Sequence, residues 1–109
     1  MSKYNAKKTV IDGITFASRK ESKRYQELRL LERAGDIQDL RLQVPYELIP
    51  KQKGERAVVF IADFCYDENG EQVCEDTKGF RTPVYVIKRK LMLWVHGIKV
   101  KETKYEKNS

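Results

Sequence analysis

The sequence is poor in the residues that stabilise small disulfide-linked or zinc-binding proteins. Its 109 residues include two cysteines and one histidine. Two cysteines are too few for a disulfide scaffold, and Cys65 and Cys74 lack the usual spacing of zinc ligands. We expect these thiols to be reduced, and to face each other if their segments pair as a tight hairpin. The sequence also lacks an apolar run of about 18 residues, so no membrane-spanning helix is expected.

Acidic residues are fewer than basic ones. The chain has 22 Lys and Arg against 16 Asp and Glu, which gives a net charge of +6. A basic surface attracts phosphate groups and releases counterions, so a polyanionic partner is favoured, most often nucleic acid. The basic N-terminus has no apolar segment behind it, so we expect no secretory signal and predict a cytoplasmic location.

The length is that of one domain, which is predicted over residues 1–109. A basic N-terminal arm is predicted for residues 1–13, with a small hairpin turn at Asp12-Gly13, and a flexible basic tail for residues 103–109. Ser18 and Glu21 form a capping box, and Gly35 is a stop signal, so a helix is predicted over about 19–34.

Alternating or β-branched runs predict strands at 37–50, 57–67, 71–79 and 98–102. Pro45 argues that the first of these strands is an edge strand or is bulged. A second helix is predicted between Pro83 and Gly97, with Trp94 in the core. The order α-β-β-β-α-β predicts an α/β (α+β) fold, in which helices flank a mixed sheet of about four strands. The second helix can serve as the crossover to the last strand.

The segment VCEDTKG combines acidic residues, a threonine and a lysine at the end of a predicted strand. A two-residue turn at Asn69-Gly70 would set Asp63 opposite Asp76. Opposed carboxylates repel each other unless a cation or a proton lies between them. The cation is either Lys78 on the same face or a hard divalent ion, Mg²⁺ or Mn²⁺. A plain surface ion-pair cluster is the other interpretation, although apolar residues flank Asp63 on both sides.

Glu75, Glu21 and Gln43 are further polar candidates near these acids. Strand alternation directs Glu75 away from the face of Asp76, but a register slip of one residue would exchange the two, so either acid can be a metal ligand. Glu21 either completes the capping box or points over the sheet toward Asp63, because it lies at the core-facing start of the first helix. Gln43 is a candidate neighbour of the same site.

Glu21 on a first helix, Asp63 in a strand and the run 76–78 at the end of the next strand resemble the PD-(D/E)XK, or restriction-endonuclease-like, nuclease superfamily. The resemblance covers about residues 14–102. It is closest to a small phage and prophage family with an SxxE, DF and EDxKG pattern that is related to Holliday-junction resolvases. Here the three motifs read SRKE, ADF and EDTKG, with Ala62 in place of the proline that normally precedes the first aspartate.

The resemblance implies a restriction-endonuclease-like core and an endonuclease that depends on Mg²⁺ or Mn²⁺ and cuts DNA, with branched or junction DNA as the substrate. It implies that Asp63, Asp76, Glu21 and the carbonyl of Thr77 hold the metal, and that Lys78 orients the attacking water or stabilises the developing charge. The basic residues expected to contact the DNA backbone are Lys7, Lys8, Lys88, Arg89 and Lys90. A homodimer is the expected assembly, and no organic cofactor is expected.

Two alternatives stay open at the level of the sequence. In one, the chain is a non-catalytic nucleic-acid-binding module that keeps the fold and merely pairs its acids. In the other, it is a phage regulatory protein that binds another protein.

Overall fold

The N-terminal part of the chain forms a small β-hairpin followed by a helix. The computed structural model describes residues 8–77 and 81–103. Asp12 and Gly13 both adopt positive φ angles, of 53° and 76°, as a type I′ turn requires. The elements in chain order are β1 (Thr9–Ile11), β2 (Ile14–Phe16), α1 (Arg19–Arg33), β3 (Gln38–Ile49), β4 (Val58–Glu68), β5 (Glu71–Asp76), α2 (Pro83–His96) and β6 (Lys101–Glu102).

The main sheet is mixed and has the order β3-β4-β5-β6. The first three strands are antiparallel neighbours, whereas β6 runs parallel to β5. A parallel neighbour needs a crossover connection, and α2 supplies it, as the sequence predicts. The α+β class and the four-strand mixed sheet flanked by helices are therefore confirmed. Pro45 lies on the edge strand β3, where a missing N–H costs least.

Both helices begin and end at the residues that the sequence indicates. The Ser18 side chain accepts a hydrogen bond from the backbone N–H of Glu21 at 3.2 Å, which confirms the N-cap of α1. The Thr82 side chain caps α2 in the same way, with Pro83 in its first turn. Gly97 ends α2 in the left-handed conformation, with φ 70°.

Two hydrophobic clusters lie on opposite faces of the sheet. Phe64 packs with the α1 residues Tyr25 and Leu28, whereas its neighbour Cys65 packs with Met92 of α2. Alternate strand residues point to opposite faces, so α1 and α2 cover different sides. Residues 62–66 are all buried, as expected for a strand that is covered on both faces.

The register of the β4–β5 hairpin follows from its turn. Asn69 and Gly70 adopt φ angles of 53° and 80°, and Glu68 pairs with Glu71. Cys65 therefore pairs with Cys74, as predicted, and the two thiols are free and buried.

Three sequence predictions need correction. The basic arm predicted for residues 1–13 overlaps the hairpin, because residues 9–11 form β1. Thr103 belongs to the fold rather than to a flexible tail, because its backbone N–H donates to the carbonyl of Asp76 at 3.0 Å. Trp94, expected in the core, has 85% of its surface exposed, because α2 packs through Tyr85 and Met92 on its other side.

Candidate functional site

A cleft of about 270 Å³ lies between the N-terminal hairpin, the start of α1 and the middle of the main sheet. It is lined by Ile14, Thr15, Phe16, Ala17, Glu21, Leu42, Gln43 and Asp63. Three of these residues are polar candidates from the sequence, and they come from three separate elements: α1, β3 and β4. The fold thus brings together residues that are about 20 positions apart in the chain, as two of their hydrogen bonds show.

The side-chain amide of Gln43 joins the two carboxylates of this cleft. Its Nε2 donates to Glu21 Oε2 at 3.2 Å and to Asp63 Oδ1 at 3.4 Å. The two acids therefore converge on one donor, although the chain places them 42 residues apart. An amide N–H₂ here occupies a position that favours positive charge, because two anionic oxygens face it.

The backbone of Gln43 is in an unusual conformation for a strand residue. Its φ angle is 52°, in the left-handed region, where a residue with a Cβ is at a steric cost of about 1–2 kcal/mol. On either side of this position the strand pairs regularly, Leu42 with Phe64 and Val44 with Ala62. Packing switches faces here: Leu42 and Phe64 join the α1 cluster, and Val44 and Ala62 the α2 cluster. A non-glycine residue that keeps such a conformation is typical of functional sites.

Glu21 lies in the first turn of α1. The positive end of a helix dipole stabilises a negative side chain there. Its backbone N–H is capped by Ser18, and its carboxylate reaches across to Gln43. The expectation that Glu21 points over the sheet toward the Asp63 region is therefore met, since both carboxylates share the Gln43 donor.

Asp63 is nearly buried, with 8% of its surface exposed, and its two oxygens have different surroundings. Oδ2 accepts hydrogen bonds from the backbone N–H of Thr77 at 2.8 Å and from the Thr77 hydroxyl at 3.0 Å. Oδ1 faces the amide of Gln43 on the cleft side. One oxygen thus fixes the side chain to the end of β5, while the other is directed toward the cleft.

Glu75, one of the two acids that the sequence left open as a metal ligand, is part of a buried network. Its carboxylate has no exposed surface and accepts a bidentate pair of hydrogen bonds from Arg24, both at 2.7 Å. Tyr66 OH also donates to it, and the Thr103 hydroxyl does so at 2.8 Å. Both oxygens are therefore engaged, which makes Glu75 a structural residue on the α1 face.

The protonation states of this network follow from its contacts. Burial raises the pKa of Glu75, but hydrogen bonds from Arg24, Tyr66 and Thr103 outweigh it, so the pKa lies below its usual value. The hydrogen bond to Glu75 raises the pKa of Arg24 further. Burial, reinforced by the bond to Glu75, raises the pKa of Tyr66. Glu75 and Arg24 are therefore both charged, and the Tyr66 phenol beside them is neutral. The sequence signal for Arg24 is weak, since it is one of many basic residues of α1.

Asp76 follows Glu75 on β5 and has 2% of its surface exposed. Strand alternation directs it away from Arg24, toward the α2 face. Its charge acts there on Tyr85, whose pKa is raised first by burial, then by a hydrogen bond to Glu102 and by the charge of Asp76. The structure therefore joins Glu21, Gln43, Asp63 and Thr77 by hydrogen bonds and places Asp76 directly before Thr77. Lys78 lies outside the described residues.

The oxygen atoms at the cleft are of the type that binds a hard cation, but few side chains supply them. Carboxylate and amide oxygens are the ligands that Mg²⁺ and Mn²⁺ prefer, and neither a thiolate nor an imidazole lines the cleft. Over residues 8–77 and 81–103, no group of three or more His, Cys, Asp or Glu side chains is arranged to hold a metal ion. Mg²⁺ commonly uses only one or two carboxylates and completes its shell with water and substrate phosphate, so the Glu21 and Asp63 pair fits this mode of binding.

The predicted DNA-contacting residues occupy different parts of the surface. Lys8 is exposed beside the hairpin that borders the cleft, whereas Lys7 lies outside the described residues. Lys88 and Lys90 are on α2, which covers the other face of the sheet. Arg89 pairs with Glu102 at 3.2 Å, and Arg81 pairs with the same carboxylate at 2.6 Å. Arg81, which the sequence did not single out, thus lies closer to Glu102 than Arg89 does.

Comparisons with known proteins supply a family but no function. Neither the curated proteins nor the solved structures contain a match. In the described part of the chain, no helix has the length and apolar character needed to cross a membrane. A family model with the description "Protein of unknown function (DUF1064)" matches residues 1–107. Because that match covers nearly the whole sequence, the chain belongs to the DUF1064 family.

Proposed function

We propose that the chain is a divalent-metal-dependent DNA endonuclease that hydrolyses phosphodiester bonds in branched or junction DNA, in phage DNA processing or recombination in the host cytoplasm. The observation that carries this proposal is the Gln43 amide held between the Glu21 and Asp63 carboxylates beside an open cleft. Two acids that converge from separate elements form a site that attracts a cation. The net charge of +6 favours a polyanionic substrate.

The residues of the cleft have distinct proposed roles. A bound Mg²⁺ or Mn²⁺ would polarise the scissile phosphate and acidify a water molecule. Glu21 and Asp63 would hold the ion. The resemblance to PD-(D/E)XK nucleases adds the carbonyl of Thr77 and Asp76 as oxygen donors, and Asp76 would have to turn from the α2 face toward Asp63 to join them. The two hydrogen bonds from Thr77 keep the Asp63 carboxylate in place, so little reorganisation is needed when the ion binds. By the same resemblance, Lys78 would orient water or stabilise the developing charge.

The basic residues proposed to contact DNA differ in their position relative to the cleft. Lys8, exposed next to the hairpin, would contact a phosphate backbone that enters the cleft, and Lys7 precedes it in sequence. Contacts of this kind position DNA without reading its sequence. Lys88, Arg89 and Lys90 are proposed as outer contacts of a bent or branched substrate, because α2 covers the other face of the sheet.

The test is a cleavage assay on a four-way junction and a linear duplex of the same sequence, with Mg²⁺, Mn²⁺ or a chelator. We expect cutting that needs the metal and prefers the junction. Asp63→Asn is expected to lower kcat by roughly 10²–10³-fold, as is typical when a main charge-stabilising group is removed. Asp67→Asn is the matched control, because Asp67 lies on the same strand but pairs with Gln72 near the hairpin turn. Equal activity of both variants, or cutting in chelator, contradicts the proposal.

A non-catalytic nucleic-acid-binding module is the second candidate. The observation that favours it is that the described residues contain no three-member group of metal-binding side chains. Direct Mn²⁺ binding, measured by electron paramagnetic resonance, separates the two candidates. The nuclease requires Mn²⁺ binding that is lost in Asp63→Asn and retained in Asp67→Asn. Salt-dependent DNA binding with neither Mn²⁺ binding nor cleavage supports the module instead.

A further inference from the structure

The exposed side of α2 carries a continuous apolar stripe. Val84, Ile87, Leu91 and Trp94 follow each other at spacings of three, four and three residues. Leu91 is partly buried, while the other three are exposed, and Trp94 most of all. The sequence placed Trp94 in the core, so the exposure of this stripe is a property of the fold that the sequence did not reveal.

The spacing of the stripe is that of a coiled-coil seam. Apolar residues that alternate at three and four positions occupy the a and d sites of a heptad, and these sites pack between the side chains of a facing helix. Val95 extends the apolar surface by one residue at the C-terminal end. The exposed apolar area of the stripe is on the order of 500 Å², near the upper end of the range for the largest patch on a monomer.

Lysines flank the stripe on both edges. Lys88 follows Ile87 at an e site, and Lys90 precedes Leu91 at a g site, the positions whose charges select the partner of a coiled coil. No acidic residue occurs anywhere in α2. The seam is therefore apolar in its centre and positive at both edges.

The lysines at these edges favour a different protein, rather than a second copy of this chain, as the partner of α2. An antiparallel second copy of α2 would set its lysine edges against each other, and a parallel copy would leave Lys88 and Lys90 facing Pro83 and Val95, with no acidic partner. Two such stripes would also bury only about 1,000 Å² in total, the lower limit for a specific interface. A helix with acidic e and g residues would instead pair with both lysines and could extend beyond the stripe.

We propose that the exposed face of α2 is a docking site for an acidic amphipathic helix of a partner protein. Leucine-like side chains of the partner would pack between Ile87, Leu91 and Trp94, and its carboxylates would pair with Lys88 and Lys90. This surface lies on the opposite side of the sheet from the cleft, so docking leaves the Glu21 and Asp63 pair accessible. The inference does not rest on the proposed nuclease activity, but the partner helix would compete with DNA for Lys88 and Lys90.

Trp94 provides the readout, because it is the only tryptophan of the chain and is exposed. The probe is a synthetic helical peptide of about three heptads with leucine at a and d and glutamate at e and g. The full chain is titrated with this peptide, and with a matched peptide that has lysine at e and g. We expect a blue shift of the Trp94 emission with the glutamate peptide, and binding that is at least about tenfold weaker with the lysine peptide, because like charges then face each other.

A charge-reversal variant tests the role of the two lysines. Lys88→Glu/Lys90→Glu is expected to invert the preference, so that the lysine peptide binds more tightly. Lys51→Glu/Lys53→Glu, in the loop before β4, is the matched control and is expected to keep the original preference. An unchanged preference in the α2 variant overturns the proposal.

Three other ways of covering the exposed face of α2 give different outcomes, and any of them overturns the proposal. A concentration-dependent mass of two copies, with a blue shift in the absence of peptide, would assign the face to self-association. A blue-shifted emission that persists on dilution would mean that the chain itself covers Trp94. A larger shift with phosphatidylserine vesicles than with the glutamate peptide would assign the face to a membrane surface.

Discussion

Removal of Arg24 is the most informative perturbation of the fold, because its partner Glu75 has no exposed surface. In Arg24→Met, the buried carboxylate loses both of its 2.7 Å charge-assisted hydrogen bonds. Tyr66 and Thr103 still donate to it, and Lys101 Nζ lies 4.0 Å away. These remaining contacts reduce the loss of stability, but they do not replace the two hydrogen bonds from Arg24.

The expected loss of stability is large for one residue. Breaking a buried ion pair by removing one partner costs about 3–5 kcal/mol, and the two retained hydroxyl donors favour the lower end, about 3 kcal/mol. For a domain of this size, about 1 kcal/mol corresponds to roughly 4 °C in Tm, so the Tm should fall by about 12 °C. The total stability of such a domain is about 5–15 kcal/mol, so the variant should fold but have a small margin.

The assay is urea unfolding followed by far-ultraviolet circular dichroism, since Trp94 is exposed and its emission responds weakly to unfolding. Arg29→Met is the matched control, because Arg29 is on the same helix and pairs with Glu32 at 2.8 Å, but 36% of its side chain is exposed. An exposed pair of this kind contributes little to stability, so the effect of Arg29→Met should be much smaller. The double variant Arg24→Met/Glu75→Leu should lose no more stability than Arg24→Met, because the unpaired charge is then absent.

Equal effects of Arg24→Met and Arg29→Met would refute the structural role of the network. The role would also be refuted if the double variant lost as much stability as Arg24→Met and Glu75→Leu lose together when measured separately. The Arg24→Met protein also tests the assignment of Glu75 as a structural residue. Below its Tm it should bind Mn²⁺ as the wild type does, since Glu75 does not line the cleft.

Two further predictions concern the strained residue and the buried acid. Gln43→Gly should be more stable than Gln43→Ala by up to about 1 kcal/mol, because both variants lose the amide but only glycine adopts φ 52° without the steric cost; a less stable glycine variant in urea would contradict the strain. The pKa of Glu75 is lower in the folded than in the unfolded state, so its contribution is complete above pH of about 4.3 and is lost as the pH falls through the folded-state pKa. Tm measured between pH 7 and pH 2 should therefore decrease below about pH 4.3, and less steeply in Glu75→Leu; parallel curves would contradict this.

Local signals made most of the fold predictable. The turn at Asn69-Gly70 determines the pairing of β4 with β5 by its own backbone geometry, so the Cys65–Cys74 pair follows from sequence alone. The same holds for the caps at Ser18 and Gly97, which satisfy backbone groups close to them in sequence. These features depend on residues a few positions apart, and a sequence displays such neighbours directly.

Features that depend on tertiary contacts were not predictable. Gln43 is not a residue type that favours the left-handed region, so its conformation depends on the surrounding strands. The bond between Arg24 and Glu75 joins residues 51 positions apart. Trp94 was misplaced because α2 is apolar on more than one side, and periodicity alone does not show which side packs on the sheet.

The Glu75 network also has a consequence for protein synthesis. Its donors come from α1, from β4 and from Thr103 beyond the last strand, so they leave the ribosome at widely separated times. Until Thr103 emerges, a nascent chain that tried to close its sheet would enclose a carboxylate without its full set of donors. We therefore expect this domain to complete its folding only after Thr103 has left the ribosome, as one cooperative step.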